Sequence, residues 1–113
     1  MKHIKIESRK IFTLEFAEYN PRTISKKQFK DLKKSITEFG IVAPIVVNIN
    51  KDRENVIVGG HQRVRALQDL GHESVLCALV DLPLQEEMKL NLRLNKNGGK
   101  FDDDMLINYF DEE

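Results

Sequence analysis

With a single cysteine, Cys77, the 113-residue chain can form no internal disulfide, a pattern that suits a reducing cytoplasm. No apolar stretch approaches the roughly 18 residues that a membrane-spanning helix requires, so no membrane partner is expected. The polar start has no apolar run behind its lysines and does not read as a secretory signal. Repeats, low-complexity tracts and an obvious linker are missing too, which leaves one domain with a single modest core. Net charge is zero, so there is no general attraction to nucleic acid. What is present is ordinary for a globular domain: 41% hydrophobic and 32% charged residues.

The charges are unevenly spread. Residues 1–34 carry ten Lys/Arg against four Asp/Glu, whereas residues 101–113 carry six acids and no base. Lys26, Lys27, Lys30, Lys33 and Lys34 are either a phosphate-contacting surface or the solvated face of a helix. DNA binding through them alone is expected to be weak, insensitive to sequence and strongly salt-dependent.

Local patterns divide the chain into elements. "KIFTLEF" (Lys10–Phe16) has strand-like content and leads into the turn "EYNPR" at Pro21. A helix follows, with Ser25 and Gln28 as its capping box, Phe29, Leu32, Ile36 and Phe39 inward, and Gly40 as its stop. "PIVVNIN" and "NVIVGG" flank the polar turn "KDRE" and form a hairpin. Gln62 to Leu70 reads as a second helix with Val64, Leu67 and Leu70 inward, ended by Gly71. "SVLCALV" (Ser74–Val80) is a buried strand. Leu84 to Leu94 is helical, with Met88 and Leu92 on its apolar face. "NKNGG" breaks that helix, and Asp102 caps a last one through Met105, Leu106 and Tyr109. The expected class is α/β (α+β), a small mixed sheet flanked by helices.

The chemistry concentrates in "VIVGGHQRVRAL". A strand meets Gly59 and Gly60, then His61, Gln62 and Arg63 open a helix. The first N–H groups of a helix and its dipole favour an anion, and glycines let the backbone approach one closely. Arg63 adds a bidentate clamp for phosphate. His61 can donate or accept a proton, or merely cap its helix. The spacing is neither that of a P-loop nor that of a dinucleotide fold. From the residues alone, a phosphate site and a simple tight turn both remain open. Arg22 is either a second residue of such a site or a turn residue. Asp102, Asp103 and Asp104 are metal-binding or, more simply, a helix cap. His3 and His72 have no partner at metal-ligand spacing, and no residue is assigned to a metal.

The order "YNPR", "LKKSITEFGIVAPIVVN", "VIVGGHQRVRAL", "VDL", "LNLRLNKNGGKFDDDML" resembles the N-terminal domain of the ParB/sulfiredoxin superfamily over nearly the whole chain. It looks most like the ParB-like domains of phages and mobile elements that accompany DNA methyltransferases and are sometimes labelled ParB-like nucleases. In ParB proteins the stretch matching Gly60–Arg63 reads Gly-Glu-Arg-Arg and binds the triphosphate of CTP. In sulfiredoxins it reads Gly-Cys-His-Arg and binds ATP. The resemblance therefore implies a nucleotide site at Gly59, Gly60, His61, Gln62 and Arg63. Ser35 matches a hydroxyl that these families place beside the nucleotide, and Asn95 matches the Asn of the ParB Glu-Asn-x-x-Arg segment. Leu94 stands where that segment has its metal-linked Glu. Cys77 lies on the apolar strand, away from the position of the sulfiredoxin nucleophile.

The leading expectation is thus a cytoplasmic nucleoside-triphosphate-binding module in DNA partition, modification or phage biology. ATP or CTP would be its ligand, with or without magnesium, and a protein partner or fused domain would accompany it. An enzyme, whether NTPase, phosphotransferase or nuclease, with His61 as its acid/base, is the alternative. A domain that interacts with partners and has lost nucleotide binding is the third. No helix-turn-helix fits into the chain, so sequence-specific DNA reading by it alone is not expected.

Overall fold

A computed structural model describes residues 3–20 and 23–95 of the chain. Arg22 and the helix expected after Asp102 lie outside those residues. The described elements are β1 (Lys5–Lys10), a 3-10 turn (Ile11–Thr13), α1 (Lys26–Phe39), β2 (Ile45–Asn48), β3 (Val56–Gly59), α2 (His61–Asp69), β4 (Ser74–Val80) and α3 (Leu84–Leu94).

The strands form one mixed sheet in the order β1-β4-β2-β3. β2 and β3 are the antiparallel hairpin expected around "KDRE". β2 also runs parallel to β4, and β1 lines the far side of β4 antiparallel. One extra residue in β3 shifts the hairpin register, with Val47 opposite Ile57 and Val46 opposite Gly59. Such a bulge bends the strand just before the glycines.

α1 and α2 cover one face of the sheet. Ile36 of α1 and Val64, Ala66 and Leu67 of α2 pack on Ile45, Val47, Ile57, Val75, Cys77 and Leu79. α3 covers the other face only in part, where Leu94 and Leu90 meet Val46, Val58 and Val80. Ile4, Ile6 and Leu76 therefore stay exposed on that side, and β4 is buried on one face rather than both.

α1 begins as its sequence dictates. The Ser25 side chain accepts from the Gln28 N–H, the Gln28 side chain accepts from the Ser25 N–H, and Gly40 follows the helix at φ 78°. The last turn departs from expectation, because Phe39 is 69% exposed: the helix runs past the edge of the core. Leu70 is likewise outward, since α2 ends at Asp69 and the chain turns at Gly71.

Two differences are larger. The strand expected at Lys10–Phe16 is one segment too late: β1 ends at Lys10, and Ile11–Thr13 turn the chain inward on buried Ile11. Beyond Lys10, Glu15 makes an isolated bridge to β3, donating its N–H to the Asn55 carbonyl and accepting from the Ile57 N–H, so it lines the open edge of β3. On α3 the expected faces are exchanged. Met88 and Leu92 are exposed, and Glu87, Asn91 and Leu94 are buried.

Candidate functional site

The turn between β3 and α2 is built around two glycines used differently. Gly60 sits at φ 101°, ψ 22°, a left-handed conformation that a side chain rarely adopts. A Cβ there would lie 2.6 Å from the Ile45 Cδ1 and 3.1 Å from the Arg63 Nη2. Gly59 has no such backbone demand, but its Cβ would lie 2.6 Å from the Leu94 Cδ1. Gly60 therefore permits the turn, and Gly59 permits the end of α3 to close on it.

Arg63 folds back over this turn. Its guanidinium lies beside Gly60, and Nη1 donates to the Ala43 carbonyl at 2.5 Å. The N-terminus of α2, the guanidinium and the C-terminus of α3 thus meet around one bend of the backbone. A carbonyl is a modest partner for a guanidinium compared with a phosphate oxygen, which offers a charge-assisted bond.

His61 faces inward. The ring is buried, accepts the Ala17 N–H on Nε2 at 3.2 Å, and lies 6.0 Å from the Phe16 ring. Arg65 stacks over the outer face of the same Phe16, 4.5 Å from its centroid. The imidazole so holds segment 16–17 against the start of α2. Using Nε2 as a general base would require breaking that bond. Gln62 is half-buried beside it. Ser35 is exposed on α1, one residue before buried Ile36. Asn95 ends α3, its amide donating to the Asn91 carbonyl at 3.0 Å. The structure thus brings Gly59, Gly60, Arg63 and the end of α3 together, and sets Ser35 on a neighbouring helix.

Leu94 is buried among Val46 and Val58. The position that carries a carboxylate in the resembling segment is here an apolar buttress. The bend brings together a helix N-terminus and a guanidinium, groups whose chemistry suits a phosphate. A metal ligand at residue 94 does not fit.

Sequence reasoning missed a polar cluster behind this site. The Glu87 carboxylate is fully buried. Arg53 grips it with both arms, Nε to Oε1 and Nη2 to Oε2, each at 3.0 Å. The Tyr19 hydroxyl donates to Oε2 at 2.5 Å and the Asn48 amide to Oε1 at 2.8 Å. Asn48 also donates to the Leu82 carbonyl and accepts from the Leu82 and Asn50 N–H groups. Burial works to raise the Glu87 carboxyl, but the bonds from Arg53, Tyr19 and Asn48 outweigh it and hold it below its ordinary 4.5. Burial, and then the bond to Glu87, push the Tyr19 phenol above its usual range. On the solvent side Arg53 also pairs with exposed Glu18 at 3.0 Å.

A groove of about 400 Å³ opens at this hairpin end of β3, walled by Glu15, Glu18, Asp52 and Glu54, with Phe16 and Arg53. Its four carboxylates oppose a polyphosphate, and β3 separates it from the glycine turn. Cys77 is buried on the helix-covered face of the sheet, and burial raises its thiol above the ordinary value. That is the setting of an inert core thiol.

Comparison with known proteins gives a consistent picture. The family model for the ParB N-terminal domain matches residues 2–97. A probable chromosome-partitioning protein ParB from Campylobacter jejuni is 31% identical over 65 residues, 57% of this chain and 23% of the relative. The chain thus spans less than a quarter of that relative's length. Among solved structures, the C-terminally truncated chromosome-partitioning protein ParB from Caulobacter crescentus, complexed with CTP-gamma-S, superposes with a TM-score of 0.72. It is 27% identical, over 85% of this chain and 54% of that one. Sulfiredoxin from Arabidopsis thaliana shares the fold, with a TM-score of 0.62 and 24% identity over 79% of this chain and 98% of its own.

Proposed function

Because this chain belongs to the ParB N-terminal domain family, we propose that it binds a nucleoside triphosphate at the bend between β3 and α2, as a module of a DNA-partition or related DNA-linked system. The observation that carries this proposal is the arrangement at Gly60. One left-handed residue sets the N-terminus of α2 and the Arg63 guanidinium side by side, with Nη2 3.1 Å from where a Gly60 Cβ would lie. Backbone N–H groups and the helix dipole would take one part of the polyphosphate, and Arg63 would exchange the Ala43 carbonyl for another. Asn95 closes the site from α3, and Ser35 contributes a hydroxyl from α1. His61 would act by holding the Ala17 segment in place. CTP is the first ligand to test, since the Caulobacter crescentus relative is solved with CTP-gamma-S, and ATP is the second. The DNA-linked setting is inferred from the chromosome-partitioning role in the relatives' names.

A thermal-shift screen of CTP, ATP, GTP and UTP, each with and without magnesium, tests the binding directly. One triphosphate should raise the melting temperature, and Arg63→Ala should weaken its binding by about 1.5–3 kcal/mol, the scale of a hydrogen bond to a charged group. Unchanged affinity in calorimetry would remove the site. Phosphate release should be slow, because residue 94 is an apolar buttress and offers a metal no carboxylate. Fast magnesium-dependent release would favour catalysis over binding.

A further inference from the structure

We propose that Glu87 is a positioning residue for the nucleotide site: it sets the register of α3 on the sheet, and through that rigid helix places Asn95 at the glycine turn. The inference rests on the nucleotide-binding proposal above and extends it to residues that would not touch the ligand.

α3 is attached to the sheet in an unusual way. Its exposed positions include Leu84, Met88 and Leu92, whereas Glu87 and Asn91, one turn apart, are turned inward. Asn91 donates to the Val58 carbonyl at 2.9 Å, and Glu87 receives four donors from Arg53, Tyr19 and Asn48. An apolar face tolerates a small slide or rotation, because dispersion and hydrophobic contacts have little direction. A carboxylate held by a guanidinium fork and two further donors does not.

The donors come from three parts of the chain: Tyr19 ahead of α1, Asn48 at the end of β2 and Arg53 in the hairpin turn. One carboxylate therefore fixes α3 against the hairpin and against the Tyr19 segment at once. Asn95 lies eight residues on, roughly 12 Å along the helix axis at 1.5 Å per residue. Just before it, Leu94 fills the space that a Gly59 side chain would need. A change of register at Glu87 is thus carried along the helix, through the Asn91–Val58 bond, to the glycine turn.

A buried ion pair is a poor device for stability, since apolar residues of similar volume often serve as well or better. Position is what it supplies, and the two roles separate experimentally. In the double variant Arg53→Met/Glu87→Leu the cluster becomes apolar, and stability in urea should be kept or raised. Affinity for CTP or ATP with magnesium, measured by calorimetry, should nevertheless fall at least tenfold. Tyr19→Phe removes a single donor and should weaken binding several-fold in a folded protein, so it decides the matter if the double variant does not fold. A folded double variant, or failing that a folded Tyr19→Phe, with wild-type affinity overturns the positioning role alone. A wild-type protein that binds no triphosphate overturns the nucleotide site and this role with it.

Discussion

Replacing Gly60 by alanine should be far more damaging than replacing Gly71, although both have positive φ, 101° and 81°. At each position an L-residue in left-handed backbone costs roughly 1–2 kcal/mol. Against this, alanine restricts the unfolded chain and returns about 0.4–1 kcal/mol. At Gly71 nothing lies within 4 Å of the added Cβ, so the balance is about 0–1.5 kcal/mol of destabilisation. At Gly60 the same methyl arrives 2.6 Å from the Cδ1 of Ile45, which is fully buried, so the core there must shift to admit it. Overpacking of that kind adds roughly 1–3 kcal/mol. Urea unfolding at matched slope reads the difference: with a slope of about 1–3 kcal/mol/M, a gap of 2 kcal/mol separates the midpoints by roughly 1 M. The methyl also lies 3.1 Å from the Arg63 Nη2, so Gly60→Ala should weaken triphosphate binding while Gly71→Ala leaves it unchanged. Equal losses of stability in the two variants would refute the tight approach of Ile45, and equal affinities would refute the cradle at Gly60.

Two further outcomes follow from charges. The folded Glu87 carboxyl titrates below its ordinary 4.5, so its contribution to stability is complete above that value and is lost as the pH falls through the lowered one; acid unfolding of wild-type protein should therefore include a step below pH 4.5 that the Arg53→Met/Glu87→Leu variant lacks, and identical acid profiles would contradict the pairing. On α1, Lys27 is engaged by Asp31 and Lys33 by Asp69, which leaves Lys26, Lys30 and Lys34 for phosphates. DNA binding by this chain should then fall with salt at a log–log slope no steeper than about −3, at roughly 0.9 per phosphate contact, and filter binding that gives a steeper slope would reveal a larger surface.

Local signals were legible wherever neighbours in sequence decide the outcome. The Ser25–Gln28 capping box, Gly40, the "KDRE" hairpin and the glycines before α2 each depend on a few adjacent residues, and each lies where those residues place it. β1 was not legible, because "KIESRK" has a single apolar residue and lies at a sheet edge, where charges guard against further pairing. The Glu87 cluster was not legible either, since its donors lie 34, 39 and 68 residues away. α3 is the most instructive case. Its sequence carries two stripes at helical spacing, apolar Leu84, Met88 and Leu92, and polar Glu87 and Asn91, and hydrophobic periodicity selects the wrong one to bury. Burying a carboxylate in place of a methionine needs partners that no local rule can see. A chain satisfies such a costly arrangement completely, with four donors on two oxygens, where the position of the helix matters more than its adhesion. That the helix so treated is the one whose end closes on Gly59 ties the misread face of α3 to the same bend that carries Arg63.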